Sequence, residues 1–156
     1  HEKLYQNERL SEIDFQKYIE ELLDIISYSF NFNGKKIEVL HNVADIHLTI
    51  DQAIPCGLIL NELVSNAFEH AFKGRNEGEI CVSFTSNGSS ISFSVEDDGI
   101  GLPDDIDSKK QDSLGITLVE TLALQLHGDL DMEKSAGGSA FTITFKKEQS
   151  PKVMEA

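Results

Sequence analysis

The stretch ICVSFTSNGSSISFSVEDDGIG, residues 80–101, decides the fold class. Ile80, Val82 and Phe84 alternate with polar residues, as do Ile91, Phe93 and Val95, and a period of two places each trio on one face of a strand. Asn87-Gly88 between the runs is a strong signal for a tight hairpin, because such turns need residues that tolerate positive φ. The second run ends in Asp97-Asp98-Gly99-Ile100-Gly101. Residues 98–112 then carry Gly, Asp and Lys without apolar periodicity. A loop that long inside a compact domain is usually functional or disordered.

Working outward, residues 52–72 read as a helix, with Asp51 as its cap, Pro55 close to its first turn and Lys73-Gly74 after its end. Residues 113–127 resume helical spacing through Leu114, Leu118, Leu122 and Leu126, and Gly128 stops them. Strand-like runs follow at 129–134 and 139–147, where Phe141, Ile143 and Phe145 alternate. Upstream, two short runs at 37–39 and 46–50 suit strands. Residues 12–30 form an amphipathic first helix carrying Ile13, Tyr18, Leu22, Ile25 and Ile26. The order predicts an α/β (α+β) two-layer sandwich, a mixed sheet covered on one face by about three helices.

A chain of 156 residues with 40% apolar content can bury one sizeable core. Its net charge of −14, from 27 acidic and 13 basic residues, argues against a nucleic-acid surface and disfavours an anionic membrane. A polyanionic ligand would then need a metal ion, backbone N–H groups and a few local cations. Cys56 and Cys81 lack metal-ligand spacing and read as buried thiols of a reducing compartment. No stretch approaches the ~18 apolar residues of a membrane span, and His1 in place of Met suggests a piece of a longer protein.

On the 52–72 helix, Glu62, Asn66, Glu69 and Lys73 fall within a stripe of about 60°, opposite an apolar arc of Leu60, Leu63, Val64, Ala67, Phe68 and Ala71. The stripe is either a solvated face or a base beside a metal-coordinating oxygen. Asp97 at a strand end can accept from an exocyclic amine, and the glycines after it permit close approach of a ligand, although a plain turn uses the same residues. Ser113-Leu114-Gly115 opens a helix whose free N–H groups favour phosphate, and an ordinary serine cap explains it equally. Gly137-Gly138-Ser139 is a hairpin turn or a second backbone nest.

In this order the pieces resemble a known family. Asn61-Glu62-Leu63-Val64-Ser65-Asn66-Ala67 resembles the N box of two-component sensor histidine kinases, Asp97-Asp98-Gly99-Ile100-Gly101 the G1 box, and Ser113-Leu114-Gly115 the G2 box. The resemblance covers roughly residues 37–147 and is nearest to the subgroup with an ELxxNA N box, related to the HWE kinases. It implies the Bergerat ATP-binding fold of the GHKL superfamily (HATPase), with ATP and Mg²⁺ as cofactors. Glu62 would be catalytic. Asn66 would ligate Mg²⁺, and nucleotide contacts would come from Asn66, His70, Lys73, Asp97, Gly99, Gly101, Leu114, Gly115 and Ser139. Residues 102–112 would form the ATP lid. The γ-phosphoryl would pass to a histidine outside this chain, for relay to a response regulator receiver domain.

The resemblance further divides the chain into the end of a dimerisation and phosphoacceptor region (1–30), an ATP-binding catalytic domain (31–147) and a frayed tail (148–156). The parent would be a homodimer with this domain in the cytoplasm, whether the parent is soluble or membrane-anchored, and with no direct membrane contact. One departure is Glu69, where relatives commonly carry Lys. A solvated carboxylate there should repel phosphate by about 1 kcal/mol, with Lys73, Arg75, Lys109 and Lys110 as compensating cations. Of the five histidines, His41, His47 and His127 read as structural and His1 lies outside any acceptor-like motif. The alternatives are a GHKL-type ATPase, an anti-sigma-like serine kinase, and a nucleotide-binding interaction module without transfer activity.

Overall fold

The structure, a computed structural model, describes residues 12–31, 34–100, 114–135 and 137–148. Chain order is β1 (Glu12–Asp14), α1 (Phe15–Phe30), β2 (Lys36–Val43), β3 (His47–Thr49) and α2 (Ile50–Asn66), which a π-helical turn (Ala67–Ala71) continues. Then come β4 (Glu77–Asn87), β5 (Ser90–Asp97), α3 (Leu114–Gln125), β6 (Asp129–Ser135) and β7 (Gly138–Lys146). Five strands form one sheet in the order β2-β4-β5-β7-β6, with β2 parallel to β4 and the other neighbours antiparallel. The three helices cover one face, as the sequence predicts.

Alternation is the reason for the single covered face. Ile80, Val82 and Phe84 on β4, Ile91, Phe93 and Val95 on β5, and Ile143 and Phe145 on β7 are buried, while Ser83, Ser94 and Thr142 line up on the opposite face. The Phe84 and Phe93 rings stack at 4.5 Å, and Phe15 of α1 meets Phe84 edge-on at 4.8 Å. Each such ring withdrawn from water contributes about 1.5–3 kcal/mol, so α1 is held by the same core as the sheet.

Several boundaries differ from expectation. The first helix starts at Phe15, because Glu12, Ile13 and Asp14 pair with Thr49, Leu48 and His47 as a short antiparallel ribbon. Asp14 caps α1 by accepting from the Lys17 N–H at 3.3 Å. The buried stripe of α1 is Phe15, Ile19, Leu23 and Ile26, and Ile25 is 64% exposed. The cap position of α2 is Thr49, without a side-chain cap bond; Asp51 lies in the first turn and Pro55 inside the helix. Thr49 instead donates to Glu148 at 3.3 Å.

The end of α3 also departs from the reading. His127 N–H bonds Leu124 O and Gly128 N–H bonds Ala123 O, both at 2.9 Å, a Schellman closure in which His127 takes the left-handed position at φ 53°. Gly128 serves close packing, since a Cβ there would sit 2.8 Å from Thr144 O. The buried face of α3 is Ile116, Val119, Leu122 and Ala123, continued by Leu126, with Leu118 37% exposed. The chain also stays anchored past β7, because Gln52 accepts from Glu148 N–H and donates to Lys146 O, both at 2.8 Å. Of the two thiols only Cys56 is buried; Cys81 is exposed on β4.

Candidate functional site

The apolar arc expected on α2 is buried throughout: Leu60, Leu63, Val64, Ala67, Phe68 and Ala71. Glu62 and Asn66, half-buried, occupy the opposite side of its last turn. Beyond Asn66 the residues are no longer spaced as in an α-helix. Directly after Asn66 the helix widens into the π turn, the kind of bulge often found beside functional sites. Glu69, His70 and Lys73 are exposed. Glu69 Oε2 lies 3.6 Å from His70 Nε2, and with its side chain 52% exposed the carboxylate is the solvated case.

Across from α2, the first turn of α3 brings Gly115 against Glu62 and Asn66. A Cβ at Gly115 would stand 2.9 Å from Glu62 Oε2 and 3.1 Å from Asn66 Nδ2. Three of the expected residues therefore meet at one helix–helix contact, a carboxylate and a carboxamide facing the N-terminal end of a helix. Leu114 opens α3; Gly101 and the expected lid, 102–112, lie outside the described residues.

A second group forms at the end of β5. Asp97 pairs with Ile80 on one side and Ser139 on the other. Its Oδ1 accepts from Gly99 N–H at 3.0 Å and its Oδ2 from the buried Ser139 hydroxyl at 3.1 Å. Each oxygen keeps a lone pair for a ligand donor. The hydroxyl of Ser139 thus orients the carboxylate, while Gly137 lies in the β6–β7 turn and Gly138 opens β7 opposite Ser135. At Gly138, φ is 144° and a Cβ would meet Asp97 O at 1.7 Å, so only glycine fits.

The two groups are joined through the end of the π turn. Ile100 N–H donates to Ala71 O at 2.9 Å, and a Cβ on Gly99 would lie 2.1 Å from that same carbonyl. One of the orphan carbonyls at the helix end is therefore satisfied by the turn after β5. Asp98 exchanges bonds with the Glu79 backbone, N–H to O at 3.2 Å and Oδ1 from N–H at 2.8 Å. Arg75, expected near phosphate, donates to Asp98 O at 2.7 Å. The sequence placed Ala71 in the apolar arc and Arg75 near phosphate but held no signal for these contacts, nor for Glu79, because each acts through a partner more than fifteen residues away.

The donor chemistry decides what this cleft can hold. Among the described residues no three His, Cys, Asp or Glu side chains gather as a metal cage. Glu62 and Asn66 suit Mg²⁺, which keeps several waters and takes much of its shell from substrate phosphates. A cavity of about 670 Å³ opens on the other side of Asp98, between the starts of β2 and β4. Its lining of Glu38, Glu77, Glu79 and Asp98 against Lys36 disfavours a triphosphate there. No helix among the described residues is long and apolar enough to cross a membrane.

Among the described residues a mixed sheet lies under three helices, with a pre-oriented carboxylate at one end of the site and a carboxylate–carboxamide pair facing a helix N-terminus at the other, an arrangement suited to a nucleotide. Residues 51–149 match the family described as histidine kinase-, DNA gyrase B- and HSP90-like ATPase, and the chain belongs to that family. ATP is the nucleotide that this membership implies.

Particular relatives are the blue-light-activated histidine kinase 2 of Erythrobacter litoralis and the sensor histidine kinase PdtaS of Mycobacterium tuberculosis. The first is 27% identical over 133 residues, 85% of this chain and 38% of that protein. The second is 36% identical over 96 residues, 60% of this chain and 19% of that protein. The chain thus spans well under half of each. Among solved structures, the histidine kinase domain of the Erythrobacter litoralis EL346 blue-light activated histidine kinase superposes with a TM-score of 0.80 at 24% identity, covering 88% of this chain and 67% of that one. This likeness shows the fold.

Proposed function

We propose that this chain is the ATP-binding catalytic domain of a sensor histidine kinase of the subgroup related to the HWE kinases, and that it transfers the γ-phosphoryl of Mg-ATP to a histidine outside residues 1–156. The observation that carries the reading is the meeting of Glu62, Asn66 and Gly115 at the end of α2, tied through Ala71 to a carboxylate already oriented by Gly99 and Ser139. In this reading Asp97 accepts the adenine amine, and Gly99 and Gly101 leave the backbone bare beside the base. Asn66 would hold Mg²⁺, whose charge would offset that of the phosphates. Gly115 and Leu114 present α3 N–H groups to the phosphates, and the exposed His70 and Lys73 are proposed as further nucleotide contacts.

An imidazole nitrogen is already a good nucleophile, so Glu62 need only hold the ring N–H and fix the tautomer whose other nitrogen attacks. Mg²⁺, when bound, neutralises charge on the transferring phosphoryl. Residues 1–30 belong in this reading to the junction with the dimerisation helices of a homodimeric parent, 31–147 to the catalytic domain and 148–156 to its tail. A response regulator receiver domain is the onward partner, in the cytoplasm. The deciding experiment joins this domain to its natural upstream helices and supplies labelled ATP. Acid-labile, alkali-stable phosphoprotein is expected; acid-stable phosphoserine, or free phosphate alone, would overturn the assignment.

A further inference from the structure

Arg75 occupies a turn with little freedom. Its N–H donates to Phe72 O at 3.0 Å, and Gly74 supplies the positive φ of 77° that lets the chain reverse. Lys35 Nζ donates to the same Phe72 carbonyl at 2.9 Å, and Lys36 N–H bonds Asn76 O at 2.6 Å. From this fixed base the guanidinium reaches the turn after β5 and donates to Asp98 O at 2.7 Å.

The peptide it grips is the one between Asp98 and Gly99. A trans peptide is planar, with its C=O and N–H pointing in opposite directions. Holding the carbonyl on one side therefore aims the Gly99 N–H on the other, and that N–H donates to Asp97 Oδ1 at 3.0 Å. Ser139 holds only the second oxygen. We propose that Arg75 is a positioning residue for purine recognition: by gripping the Asp98 carbonyl it sets the Gly99 N–H, and through it the angle at which Asp97 offers its free lone pairs to the exocyclic amine. The inference rests on the reading of Asp97 given above.

The test is titration calorimetry of the whole chain with ATP and with purine riboside triphosphate, which lacks the exocyclic amine. Wild type should prefer ATP. Arg75→Met should weaken ATP by about three- to tenfold, the range of one ordinary hydrogen bond's net contribution, and leave the analogue unchanged. Arg75→Lys should restore most of the preference, because an ammonium can still reach the carbonyl. Unchanged ATP affinity in Arg75→Met, or equal loss for both ligands, overturns the inference while leaving Asp97 in place. No preference in wild type overturns the role of Asp97 itself and the inference with it.

Discussion

Replacing Gly115 by alanine would perturb the site while sparing the scaffold. The new Cβ would lie 2.9 Å from Glu62 Oε2, inside the 3.0 Å that real Cβ contacts keep, and 3.1 Å from Asn66 Nδ2. Both neighbours are side-chain ends, so they yield by a few tenths of an ångström and the backbone stays. For stability, alanine in a helix gains up to about 0.5–1 kcal/mol over glycine, and pushing Glu62 off its rotamer loses about 0.5–1.5 kcal/mol. The two nearly cancel. The melting temperature should move by less than about 3 °C, given about 2–4 °C per kcal/mol at this size. For function, displacing the proposed metal ligand should weaken Mg-ATP binding by about three- to tenfold, the net contribution of about one hydrogen bond. Titration calorimetry with Mg-ATP and scanning calorimetry read the two effects separately. In EDTA the affinity gap should narrow, because Asn66 is the proposed metal ligand. Wild-type affinity at wild-type melting temperature would show that Glu62 and Asn66 do not meet the ligand, and a melting point lowered by more than about 10 °C would make Gly115 a glycine of the fold.

Gly99→Ala should behave oppositely: its Cβ meets the Ala71 backbone carbonyl at 2.1 Å, and overpacking together with the strained Ile100–Ala71 bond should lower stability by about 2–4 kcal/mol in denaturant titration. Asp97→Asn should abolish detectable ATP binding, since the carboxamide presents a donor where an acceptor is needed, whereas Glu62→Gln should bind ATP and transfer slowly; equal ATP affinity for wild type and Asp97→Asn would refute the first. His127→Gly should raise stability by about 0.5–1 kcal/mol, because glycine takes the left-handed position without strain, checked by scanning calorimetry. Partial desolvation, then the charges of Glu79, Glu96 and Asp98, hold the Cys81 thiol above its ordinary pKa, so at pH 8 iodoacetamide should modify it more slowly than free cysteine, and Glu79→Gln should speed the reaction. Burial raises the Cys56 thiol still further; it should react only after unfolding, as mass spectrometry of the alkylated chain would report.

Much of the scaffold is legible locally. The β4–β5 hairpin around Asn87-Gly88 appears where the alternation places it, and all six residues of the expected apolar arc on α2 are buried. Misreadings fall where two local answers compete. Glu12–Asp14 can open a helix or extend, and pairing with β3 decides for extension. Leu118 sits on the helical period of α3 yet beside the true core face, because Ile116, Val119 and Ala123 offer a neighbouring stripe that α2 and the sheet select. The turn after Asn66 looks α-helical in any window and takes a π form instead.

The periods of strands and helices, the hairpin, and the choice of Glu62, Asn66, Asp97 and the glycines around them as candidates were open to local reading. These follow from sterics and hydrophobic spacing between residues a few positions apart. Tertiary structure alone decided that Ser139 donates to Asp97, that Ala71 receives Ile100, that Arg75 grips Asp98, and that Gly115 closes on Glu62 and Asn66. Those contacts join segments more than twenty residues apart. Their geometry is set by how helices and sheet pack over one core, and no window of sequence contains that information.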